Sequence, residues 1–122
     1  MTQEELNILN IDLCARLPYG VKIKYLPDDR LDGIVLPYLL NGLTVLQKGV
    51  ISRRAHIKNI RPYLRPMSSM TEEEKEEFIS FNGTDGCYIK TMDFCNKHHL
   101  DNRGLIPMGL ALEAPEDMYK ND

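Results

Sequence analysis

Tryptophan is absent from this 122-residue chain, and phenylalanine and cysteine are scarce, with three of each. Any aromatic platform for stacking bases must therefore be assembled from a few Tyr, Phe or His residues. The cysteines (Cys14, Cys87 and Cys95) are odd in number and lack a paired framework, which suits a reducing compartment. No apolar run approaches the roughly 20 residues a membrane helix needs. The longest, "GIVLPYLLNGL" and "GLIPMGLAL", are broken by Pro and Gly. "MTQEELNILN" has no basic region leading into an apolar one, so a secretory signal is not expected and the cytoplasm is the expected location. Phosphate-loop patterns such as GxxxxGK(S/T) and GxGxxG are missing. Ser68 and Ser69 have no GxSxG context, and "DDRLDG" lacks EF-hand spacing.

The composition that remains is that of a globular domain, 43% hydrophobic and 27% charged. One domain of this length buries a core without disulfide or metal staples. The net charge of −3 is unevenly spread. Residues 1–70 hold ten Lys/Arg against six Asp/Glu, and residues 71–122 hold five against twelve. Such a chain either pairs its halves internally or presents two faces to two partners.

Helical spacing opens the chain. Thr2 and Glu5 make an S/T-x-x-E capping box, and Leu6, Leu9, Leu13 and Leu17 recur at three- and four-residue steps, widened by Ile8 and Ile11. A helix is expected over about 2–17, ended by Pro18 and Gly20. "VKIKYL" alternates and reads as a half-buried strand. Asn41-Gly42, between two β-rich runs, favours a hairpin turn, and Pro37 marks an edge or a bulge. A further strand is expected near residues 56–60 after a bend at Gly49, closing a strand region of about 21–60. "RPYLRP" is expected to be extended or a one-turn 3₁₀ segment. Thr71 and Glu74 form a second capping box for a helix over about 71–81. A third helix is expected over about 91–100, with "CYIK" before it a short strand or loop. Residues 105–114 read as a strand or a docked apolar segment.

Strands grouped ahead of helices predict a single α+β domain. Its architecture is expected to be a small antiparallel bent sheet or SH3-like partial barrel of three to four strands, with an N-terminal helix and two C-terminal helices.

Candidate chemistry is thin. Cys95 and His98 have zinc-pair spacing, but Cys87 stands apart, so no metal or other cofactor is expected. Cys95 and His99 are four apart on a helix, a poor setting for a nucleophile and its base. No enzymatic activity is expected. What remains is a basic strip, Arg53, Arg54, Lys58, Arg61 and Arg65, with no acid between Ser52 and Pro66 and with His56 and Tyr63 interleaved. Clustered cations with a planar ring suit phosphate contact and base stacking. The sequence pI of about 5.6 and the glutamates at 72–74, 76 and 77 argue for neutralisation. A protein partner is therefore expected ahead of nucleic acid at Arg53, Arg54, Lys58, Arg61, Tyr63 and Arg65. A membrane is not an expected partner, and the oligomeric state is left open.

"PYLRPMSSMTEEE" (Pro62–Glu74) and "RGLIPMGLALEAPEDMY" (Arg103–Tyr119) resemble segments of a family of short uncharacterised proteins of gut Bacteroidetes, their phages and mobile elements. The resemblance is strongest over residues 57–78 and 92–119. It implies a small accessory protein that acts by contact, and it carries no activity, cofactor or catalytic residue.

Overall fold

In the computed structural model, residues 2–26, 33–35, 43–48, 51–81 and 87–119 are described. Helix α1 spans Gln3–Arg16. Its capping box is made: Thr2 N donates to Glu5 Oε1 at 2.8 Å and Glu5 N to Thr2 Oγ1 at 3.1 Å. Leu9 and Leu13 are fully buried, while Ile11 faces solvent at 57% exposure. Burying each leucine contributes roughly 1.5–3 kcal/mol.

Strands follow at Lys22–Tyr25 (β1), Gly33–Val35 (β2), Leu43–Lys48 (β3), Ile51–His56 (β4) and Ile60–Leu64 (β5). The expected alternation holds in β1, where Ile23 and Tyr25 are buried and Lys22 and Lys24 half-buried. β2 and β3 pair antiparallel, Val35 opposite Leu46. The turn expected at Asn41-Gly42 and the kink at Pro37 lie outside the described residues. β3 and β4 pair over six positions, with Lys48 opposite Ile51, so two residues connect them.

The sheet order is β4-β3-β2-β1-β5-β6, with β6 at Leu112–Glu113. Four strands fall within 21–60, as expected, and β5 and β6 extend the sheet. The chain leaves the end strand β4 and re-enters beside β1 after a single 3₁₀ turn, Ile57–Asn59. A turn this short spans four sheet positions only if the sheet curls, which is the bent, SH3-like arrangement. His56 Nδ1 caps that turn by accepting from Lys58 N at 3.1 Å. Residues 56–60 are thus the end of β4, a turn and the first residue of β5, not one strand. "RPYL" is β5 itself. β6 joins β5 in parallel, so the sheet is mixed.

Helix α2, Glu72–Ser80, carries the complete Thr71–Glu74 capping box. Its Phe78 packs on Phe94, as does Phe81 just beyond α2, with ring centroids 6.0 and 5.8 Å away. α3 spans Cys87–Lys97, a turn earlier at each end than expected. No Gly or Pro interrupts 87–97, so nothing stops the helix from extending back through "CYIK". At its other end His99 adopts φ +58°, a left-handed residue that terminates it.

Residues 105–114 are mostly turns ending in β6. Gly104 and Gly109, at φ +73° and +76°, reverse the chain twice. Leu105 and Leu110 are thereby inserted into the core formed by α1, β1 and β5. The buried Asp101 carboxylate holds the first of these turns, accepting from Leu105 N at 2.7 Å and Ile106 N at 3.0 Å.

Candidate functional site

The fold divides the basic strip. Arg53 and Arg54 lie on β4, while Arg61, Tyr63 and Arg65 lie on or just after β5, with β3, β2 and β1 between in sheet order. At about 4.8 Å per strand, β4 and β5 are roughly 19 Å apart along the sheet. They approach only at the corner turn, where Lys58 is exposed. Arg61 lies opposite Lys24 and turns its guanidinium onto its own corner, donating to the carbonyls of Lys58 and Ile60 at 2.9 Å each. Partial burial lowers its pKa, and the charge of Glu5 on α1 opposes that shift. Tyr63 is half-buried, and its carbonyl accepts from Tyr119 Oη at 2.7 Å. Arg61 and Arg65 are thus engaged within the fold, while Arg53 and Arg54 lie on a different strand.

Arg65 is committed most fully. Its Nη1 donates to Glu74 Oε2 at 2.8 Å and its Nη2 to Glu74 Oε1 at 2.7 Å. The same guanidinium also reaches the carbonyls of Ser69, at 3.1 Å, and His98, at 3.5 Å. A bidentate pair of this geometry is among the stronger polar contacts proteins make. Glu74 Oε1 also takes Thr71 N at 2.9 Å, and His98 Nδ1 lies 3.3 Å from Oε2. The Arg65 guanidinium, ahead of the other causes, holds the Glu74 carboxyl at about 2. Here the acidic helix does neutralise the basic strip.

These residues form one wall of a cleft of about 500 Å³. Arg65, Glu74 and His98 line one side, and Glu113, Glu116 and Tyr119 of the C-terminal segment line the other. Tyr119 anchors that segment. Its hydroxyl accepts from Lys22 N at 2.9 Å and donates to Tyr63 O, and its ring stacks on His99 at 3.9 Å. Lys22 Nζ crosses the ring at 5.5 Å and donates to Met118 O at 2.8 Å. Ala114 N donates to Leu64 O at 2.8 Å, fastening the segment to β5.

A carboxylate at about 2 that already accepts from Arg65 and Thr71 is a poor proton acceptor at neutral pH. Cys95 does not reach the cleft. It packs with Phe94 and Leu100 in the core, where burial pushes its thiol up. His98 rests on Phe94, with centroids 4.5 Å apart. Among the described residues no group of three or more His, Cys, Asp or Glu is placed to hold a metal ion.

A buried ionic network escaped sequence reasoning. Asp12 and Arg16 are both fully buried on the face of α1 that carries Leu9 and Leu13. Arg16 Nε donates to Asp12 Oδ2 at 2.9 Å, and Arg103 Nη1 to Asp12 Oδ1 at 2.7 Å. Arg16 also reaches the carbonyls of Cys95, at 3.2 Å, and Leu100, at 2.7 Å. It fixes α1 to the end of α3, and so fixes the floor on which His98 and the C-terminal segment sit. The signal was present in the spacing: 9, 12, 13 and 16 share one helical face.

No family model, curated protein or solved structure matches the chain, so the reading of this site rests on its own geometry. Among the described residues no helix is long and apolar enough to cross a membrane.

Proposed function

We propose that this chain is a non-catalytic binding module that holds a protein partner in the cleft between β5, α2 and the C-terminal segment. The observation that carries the reading is the saturated Glu74. Among the described residues it is the one carboxylate set beside both an arginine and a histidine, and it organises the cleft wall. A preformed cleft with one internally paired wall and a polar rim suits recognition. The divided strip, with Arg65 neutralised and Arg61 turned onto backbone carbonyls, weighs against the nucleic-acid alternative. The resemblance to segments of a family of gut Bacteroidetes, phage and mobile-element proteins supports a small accessory protein that acts by contact.

The test is site-specific photo-crosslinking in cells that naturally produce the chain, with the reactive group at position 114 and, as control, at the exposed Lys97. The expected result is a discrete protein adduct from 114, resistant to nuclease and absent from 97. Adducts that contain nucleic acid, or no protein adduct from 114, overturn the reading.

A further inference from the structure

Resting on that reading, we infer that the cleft takes an extended segment of the partner that carries a lysine or arginine and lies along the free edge of β6. Three features meet here. β6 ends the described sheet, and its pairing leaves a backbone edge at the cleft. Leu64 O accepts from Ala114 N, so the alternation of a parallel ladder turns the N–H and C=O of the intervening Glu113 away from β5. An extended chain adds to such an edge through main-chain hydrogen bonds and places alternate side chains in neighbouring pockets.

The pocket beside that edge is the cleft itself, and Glu113 is part of its lining. Its charge selects the occupant. Arg65 and Glu74 cancel one another, which leaves the lining carboxylates of Glu113 and Glu116. Neither pairs with a cation among the described residues. Exposed Asp117 extends the same sign along the C-terminal rim, and exposed Glu73 extends it along the α2 rim, where Glu72 is paired with Lys75 at 3.5 Å. A cationic side chain entering the cleft meets two free carboxylates, whereas an acidic one meets like charge on both rims. Both terminal nitrogens of Arg65 are already engaged, so it offers little to an incoming phosphate or carboxylate.

The test uses a displayed library of random nine-residue peptides, selected on the full chain at low salt. Selection is expected to enrich Pro-poor peptides that bear Lys or Arg. Their affinity should fall about fivefold on the double variant Glu113→Gln/Glu116→Gln, the loss of two rim charges. Its thermal midpoint should be unchanged, because both residues are exposed. A second variant, Glu113→Pro, removes the outward N–H and should weaken the same peptides. Enriched peptides without cations, equal binding to the double variant, or no enrichment overturn the inference. A cellular protein crosslinked from position 114 through a segment without Lys or Arg also overturns it while leaving the binding module standing. Failure to crosslink any protein removes the module reading itself.

Discussion

Arg65 and Glu74 meet through two parallel hydrogen bonds of 2.8 and 2.7 Å, joining the end of β5 to the first turn of α2. Glu74 at the same time closes the capping box of its own helix, so one carboxylate sets both where α2 starts and where it docks.

That double role gives stability a specific pH dependence. The folded-state value of Glu74, about 2, lies below the ordinary 4.5. Its contribution is complete above about pH 4.5, declines as pH falls, and is gone below about 2. With the pair partly exposed, screening limits it to on the order of 2 kcal/mol. Urea unfolding of wild type and Glu74→Gln between pH 6 and 2.5 should show a gap that narrows with acid. A gap that stays constant over that range contradicts the pairing.

Asp12 carries more. Replacing it with Ala leaves Arg16 buried without its carboxylate, which costs about 3–5 kcal/mol. Ile11→Ala, one residue away on the exposed face, should change stability by less than about 0.5 kcal/mol. Thermal unfolding of the two variants compares the two faces of α1 directly, and similar losses would mean that the buried face is misassigned.

Tyr119→Phe deletes one hydroxyl that serves both Lys22 N and Tyr63 O. Leaving those groups unpaired should cost about 1–2 kcal/mol. Hydrogen exchange should speed up at the Lys22 and Ala114 amides before it does in the Leu9–Leu13 turn of α1. Unchanged exchange at both amides would show that the segment is held by other contacts.

The cysteines should separate by reactivity. Desolvation raises both thiols, but Cys14 is exposed whereas Cys95 is fully buried. Under native conditions iodoacetamide should modify Cys14 and leave Cys95 intact until the protein unfolds. Native modification of Cys95 at a comparable rate would contradict its core placement.

What could be read from the sequence was what is encoded locally. Both capping boxes form because donor and acceptor sit three residues apart, and β1 alternates because one face is buried. The parallel pairing of Leu112 with Tyr63 joins residues about fifty positions apart, and no local pattern marks it. α3 begins at Cys87 because no Gly or Pro interrupts residues 87–97, so the weak strand flavour of "CYIK" does not stop the helix. Asp12 and Arg16 were hidden because a leucine stripe invites an apolar reading of the whole face. The basic strip looked continuous because its residues are neighbours in sequence, and the 3₁₀ turn at 57–59 sends them to different strands. Arg65 and Glu74, nine residues apart, were the part of the site where adjacent base and acid already pointed to each other.

Amide hydrogen exchange of the chain, free and bound to the protein captured from position 114, tests the central claim most directly. The account predicts slowed exchange at residues 112–116 and 71–74, with residues 53–61 unaffected. Protection centred on 53–61, with the cleft unchanged, would contradict it.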